Sequence, residues 1–328
     1  MSAGTIPGSR VLLLGALGVV ATLLASVAWP LLVYSVSLAV FGLAHVLSEL
    51  RYVDERFGAR LGRRLVGRLV ALLGLVVILR ILRMGDVIGV QDWRMAELAV
   101  VGILAALVIP WLRRTSPPLM ALGIVTVLGL AVGSLWAPVG TFLLLAVVHN
   151  LTPLGFLAEI LPPGRRKVGL GLAIFCFLGL PLVIASGLPW RAVAAVGVSA
   201  PEFTVLSTGP LASHFKVYLP TFVQESSWAL HAFSAAVFAQ CMHYAAVIHV
   251  LPRLLAEQGG EAGRMGIVPW PRRRTFVVSM AVASVVMLVA FVADFQDGRA
   301  LYGIAAAVHA WVEIPILLVA FAPPVNGT

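Results

Sequence analysis

Seven titratable or ligating side chains stand inside long apolar runs, and they fall into a pattern. His45 and Glu49 lie in FGLAHVLSELRY, His149 and Asn150 in AVVHNLTPLG, His243 in FAQCMHYAAV, and His309 and Glu313 in AAAVHAWVEIPIL. Each His/Glu pair is spaced by four, a rotation of ~400°, so both members project from one helical face about a turn apart. Imidazole nitrogen and carboxylate oxygen from separate elements are the donors that iron, zinc, copper and manganese sites use. A carboxylate beside a ligating His can instead fix its tautomer by hydrogen bonding. A lone intramembrane His more commonly bonds a neighbouring helix; the grouping carries the metal reading. An isolated Glu313 in apolar surroundings needs a cation, and no Lys or Arg is expected at its depth. The pattern predicts His45, His149, His243 and His309 as metal ligands. Glu313 is expected as a ligand or hydrogen-bonded base, and Glu49 as an orienting group or an interfacial anchor beside Arg51.

The remaining candidates read differently. His231 and His249 share a face of the same apolar stretch but lie ~27 Å apart along it, so they cannot bind one atom. His231 is expected to line an entry path or cap the bundle, and His249 and Glu159 to sit at an interface. Gln240 and His243 are one turn apart and should look inward together. His214 falls in a connecting loop and is expected to be solvated. Cys176 and Cys241 lack C-x-x-C spacing and read as apolar packers rather than a disulfide or a thiolate site.

The elements that must hold these residues are helices in a membrane. The 328 residues are 60% hydrophobic and 11% charged, against ~25% charged in soluble domains. Apolar runs long enough to span fall near 11–28, 31–50, 65–83, 95–112, 117–135, 138–160, 168–187, 226–251, 275–293 and 300–321. The expected fold is therefore all-α, a polytopic transmembrane bundle of about ten spans and one domain over 1–328. The net charge of +9 sits in short loops, which is a topology signal and argues against nucleic acid as a partner. Of the 23 Lys and Arg, all but Arg80, Arg83, Arg94, Arg191, Lys216 and Arg299 fall on one side. Both termini are thus expected in the cytoplasm, for a protein of the bacterial inner membrane. The segment 188–224 is expected as an extra-cytoplasmic loop that runs along the interface in preference to capping the bundle, and 252–274 as a flexible cytoplasmic linker. With ~1.5 Å per residue from each cytoplasmic end, the four histidines and Glu313 fall in a layer one or two helical turns thick.

His45 with Glu49, His149 and His243 resemble the ligand elements of Brp/Blh-type membrane β-carotene dioxygenases. In that family Gly follows the first His and the acid is Asp, where this chain reads HVLSE. The resemblance implies a helical membrane protein with non-haem iron held by histidines, cleaving an apolar substrate with dioxygen. From the residues themselves, the first expectation is a membrane metallo-oxygenase, iron being favoured over zinc, copper or manganese. Its partners would be the bilayer and an apolar, lipid-like or isoprenoid small molecule. A proton- or metal-coupled transporter using the same His/Glu cluster is the alternative, and a b-type cytochrome the second alternative.

Overall fold

The computed structural model describes residues 9–258 and 266–322, with side chains from residue 13. The chain is all-α, with no strand among the described residues. α1 runs Ser9–Ala28, and Pro30 opens α2, Pro30–Met84. Five further long helices follow as α3 Val90–Thr115, α4 Pro117–Trp136, α5 Pro138–Ile160, α6 Pro163–Ala185 and, after three short helices, α10 Ala229–Glu257. The short ones are α7 Leu188–Ala195, α8 Ala212–Phe215 and α9 Thr221–Gln224. α11 Arg273–Ala293 and α12 Phe295–Ala320 close the chain. Among the described residues, eight helices are long and apolar enough to cross a membrane. The ten apolar runs are all helical, because the 55-residue α2 holds two of them across a break at Gly62 (φ 74°, ψ 156°), and α1 is a shorter apolar helix. Only glycine adopts that backbone without strain.

Outward faces are apolar where a soluble protein would be charged. α4 exposes Val125, Leu128, Val132 and Leu135, and α11 exposes Val282, Val285 and Val289. These surfaces, with the spanning lengths, mark an integral membrane protein.

Two of the long helices contain a π turn, 175–179 in α6 and 246–250 in α10. Each turn is followed by Leu-Pro: Leu180-Pro181 and Leu251-Pro252. The proline has no N–H and its ring strikes the carbonyl four residues back, so a locally wider turn lets the helix pass through.

Three expectations about connections need correcting. The stretch 51–64 between the runs 31–50 and 65–83, expected as loop, belongs to α2 apart from the break at Gly62, with Arg51 bonded to Glu55 at 2.7 Å and Arg56 to Glu159 at 2.6 Å. The expected flexible linker 252–274 begins as the end of α10, and residues 259–265 lie outside the described residues. Its later part is pinned: the Asp54 carboxylate accepts from Ile267 N, Val268 N and Trp270 Nε1, each at 3.0 Å. Segment 188–224 contains no spanning helix, but it is a cap rather than a loose connection. Leu206, Leu211, Leu219 and Val223 pack into a core with Tyr34, Phe233, Phe291 and Phe295. Its alternation of Pro, Gly and short apolar stretches gives short helices that can fold onto the bundle end.

The two ends of the bundle differ. At one, α2 meets the ends of α5, α10 and α12: Gln258 donates to Ile160 O at 2.6 Å and Arg60 to Ala322 O at 2.7 Å. At the other lie the cap, Arg299 and Arg80, which bridges Glu97 at 2.7 Å and Gly303 O at 2.7 Å.

Candidate metal centre

Four helices deliver the predicted histidines to one point. α2 supplies His45, α5 His149, α10 His243 and α12 His309. Nε2 of His309 lies 3.0 Å from Nε2 of His45 and 3.1 Å from Nε2 of His149. The His243 ring sits 4.5 Å from that of His149 and 5.4 Å from that of His45, centre to centre. One ligating nitrogen from each of the four can be chosen so that all lie within 4.8 Å of one another. Nitrogens held ~2.0–2.1 Å from a tetrahedral ion stand ~3.3 Å apart, so this spacing fits a bound metal.

Hydrogen bonding sets which nitrogens face the centre. His45 Nδ1 is 3.3 Å from the Phe41 carbonyl, and His149 Nδ1 is 2.6 Å from Glu313 Oε2. Each acceptor requires the ring to carry its proton on Nδ1, which leaves the Nε2 lone pair aimed inward. Glu313 therefore orients His149, a ring on another helix, rather than the His309 one turn away on its own. Glu49 behaves likewise. It is fully buried, 3.4 Å from His243 Nε2 and without the alignment of a hydrogen bond. Its predicted place at a membrane edge is corrected by the continuation of α2 to residue 61, which leaves Glu49 deep in the bundle.

Several buried atoms here have no partner in the protein: both Glu49 oxygens, Glu313 Oε1, both His243 nitrogens and His309 Nδ1. Buried polar atoms are nearly always satisfied, and a buried carboxylate without a cation costs several kcal/mol. A second set, Glu49, His243 and Glu313, also offers ligand atoms within 4.8 Å of one another. The donor set can hold a metal ion, and the orphaned carboxylates are what a cation would satisfy.

Two cavities approach the centre. One of about 480 Å³ is lined by His45, His149 and His309 together with Tyr244, Tyr302 and Trp311. Another of about 260 Å³, walled by apolar side chains of α4 and α12, reaches His149 and Glu313. Sequence reasoning passed over the aromatic lining. Tyr244 stacks on His45 with ring centres 4.0 Å apart, and its hydroxyl is 3.4 Å from that of Tyr302. Adjacency to His243 was the available signal for Tyr244. Also passed over was Glu97, fully buried, which accepts from Arg80, from Trp93 Nε1 at 2.7 Å and from Trp311 Nε1 at 2.6 Å. Trp93 and Glu97 are four apart in the sequence, the spacing that could have exposed the pair.

The other candidates stand outside the centre. His231 packs on Trp190 with ring centres 5.6 Å apart, beside Gly187, and His249 is exposed on the helix surface. Glu159 pairs with Arg56 at the basic end. Gln240 does point inward with His243; it accepts from the Tyr218 hydroxyl and donates to Ser37 Oγ at 3.1 Å. His214 is the clear correction. It is buried, not solvated, with Nε2 3.0 Å from Thr208 O and Nδ1 3.5 Å from Arg299, because the cap folds over it. Burial, reinforced by the Arg299 charge, holds this imidazole below its ordinary pKa. Cys176 and Cys241 are free and pack among apolar neighbours. In comparisons with known proteins, no family model, no curated protein and no solved structure matches the chain.

Proposed function

We propose that the protein is a membrane-embedded oxygenase with a non-haem iron centre, acting on an apolar, lipid-like or isoprenoid molecule drawn from the bilayer. The observation that carries the reading is the convergence of three Nε2 atoms, that of His309 standing 3.0 Å from His45 and 3.1 Å from His149, at the wall of a cavity large enough for a substrate. His45, His149, His243 and His309 would hold the ion. A histidine-held iron with an open position supplies the means to bind and activate dioxygen. The chain's own part is to orient and exclude. Glu313 and the Phe41 carbonyl lock the tautomers of His149 and His45. Glu49, beside His243, would offset the charge of the ion, and the Tyr244 ring fixes the plane of His45. The apolar walls keep bulk water away from the reacting chain. The resemblance of HVLSE, His149 and His243 to the Brp/Blh dioxygenases points to the same chemistry. The 17-to-6 division of Lys and Arg supports placement in a bacterial inner membrane with both termini cytoplasmic.

A b-type cytochrome needs two imidazoles on opposite faces of a porphyrin; four rings meeting at one point leave no slot for the macrocycle. Transport through the same cluster remains the competing expectation. Metal analysis and an absorption spectrum of the purified full-length chain test the proposal. The expected outcome is bound iron with no haem band and oxygen uptake that depends on an added apolar substrate. A haem band, or metal flux across proteoliposomes without oxygen uptake, would replace it.

A further inference from the structure

The larger cavity has an electrostatic character that an apolar substrate does not explain. At the end away from the histidines its lining includes Arg80, Arg94, Lys216 and Arg299, and it includes no Asp or Glu. Arg80 is already neutralised by Glu97. Among the described residues, Arg94, Lys216 and Arg299 have no carboxylate within ion-pair distance. Arg299 donates to the Gln296 side-chain oxygen at 2.7 Å and stands 3.5 Å from His214 Nδ1, neither of which carries a negative charge. These four are also most of the six basic residues that the charge distribution assigns to the outer side, where Lys and Arg are scarce. Their gathering around one opening is therefore not a general property of that face. The walls between this mouth and the centre are Leu143, Phe142, Ala306, Ala307 and Trp311, with the Tyr244 and Tyr302 hydroxyls. Along α12 the step from Arg299 to His309 is ten residues, ~15 Å.

We propose that the molecule this cavity takes is an amphiphile with an anionic head, a carboxylate or phosphate held by Arg94, Lys216 and Arg299, and an apolar chain reaching the histidines. The assignment rests on the oxygenase reading for what happens at the chain, but not for the binding itself. Unpaired guanidinium and ammonium groups at a half-buried mouth bind such heads through charge-assisted hydrogen bonds. The volume of about 480 Å³ suits one small ligand, within the ~300–1,000 Å³ usual for such sites. A head fixed at the mouth sets which part of the chain lies against the centre, so the basic residues determine position of attack as well as affinity.

The test uses the full-length protein in nanodiscs and three spin-labelled or radiolabelled probes: palmitate, hexadecyl phosphate and methyl palmitate. The wild type is expected to bind one of the two anions at least ~10-fold more tightly than the ester, the worth of one charge-assisted contact. Lys216→Gln, an exposed position where folding is not at stake, and Arg94→Gln should each collapse that preference. Arg253→Gln, exposed outside the cavity, should keep it. Equal binding of anion and ester, or a preference unchanged in both cavity variants, overturns the proposal. Inorganic phosphate displacing the probe as well as hexadecyl phosphate does would also overturn it, by showing a site for a free anion. Metal content is measured on the same samples. Loss of iron there would strike the oxygenase reading alone, since the head preference is read whether or not metal is bound.

Discussion

Replacing Glu49 with Gln separates a metal-balancing carboxylate from a structural one. Both Glu49 oxygens are buried without a hydrogen-bond partner, and the nearest ring nitrogen is His243 Nε2 at 3.4 Å. With an effective dielectric of ~20, two unit charges 4 Å apart interact by ~4 kcal/mol, and a divalent ion doubles that. The amide keeps a dipole but loses the charge, so a loss of ~10–100-fold in metal affinity is expected, in line with removal of outer partners of metal ligands. In the metal-free protein the carboxylate gains nothing from its surroundings. Gln there should leave the thermal midpoint unchanged or raise it. The assay is melting of detergent-solubilised wild type and Glu49→Gln, each with and without bound metal, alongside metal titration. The expected signature is a variant that equals or exceeds the wild type when empty and falls below it when loaded. An equal drop in both states would make Glu49 a packing residue and refute the reasoning.

His243→Ala should abolish metal retention after size exclusion, whereas His231→Ala, whose ring lies against Trp190, should retain it; elemental analysis of both decides. Gly62→Ala forces an L-residue into a backbone region open essentially only to glycine, and should destabilise by ~1–3 kcal/mol; Gly67→Ala, with open space around its Cβ, serves as the control in thermal melting. The cap should loosen in acid. Because burial holds His214 below its ordinary value, its neutral form stabilises the docked cap above the unfolded pKa of ~6.5, and that contribution is lost as pH falls toward the folded value. Limited proteolysis within 196–228 should therefore accelerate between pH 7.5 and 5 in the wild type and lose that pH dependence in His214→Asn.

The ligand residues were legible because their types are costly in lipid and their spacing puts them on inward faces. Helical periodicity cannot say which ring a carboxylate serves, however. Glu313 shares a face with His309 yet bonds His149, and Glu49 shares a face with His45 yet stands against His243. Those pairings depend on how α5 and α10 are rotated against α2 and α12, which is a packing property. Glu49 read as a possible interfacial anchor because α2 was expected to end near residue 50. The charged stretch after it is helical because its carboxylates and guanidinia find partners, Arg51 with Glu55 one turn on and Asp54 and Arg56 on other elements. The cap was the less favoured of two readings for a related reason. Its apolar residues are scattered without period among Pro and Gly, and their burial comes from meeting Tyr34, Phe233 and Phe295.

The π turn in α10 joins two working ends of one helix. Upstream of it, Gln240 and His243 face the interior; downstream, Leu251 is buried and Gln258 reaches the Ile160 carbonyl. A π turn amounts to one residue inserted into an α-helix. Deleting a single residue from 246–250 would leave the overall rotation nearly unchanged, because the wider turn covers with its extra residue about what a plain α turn covers without it, but it would return Pro252 to an α turn, where the ring strikes the carbonyl four residues back. The kink that follows would carry the terminal anchor off its partner. Tolerance in this stretch should consequently follow chain length more than side-chain identity: substitutions at exposed His249 or Val250 pass, while a one-residue deletion does not.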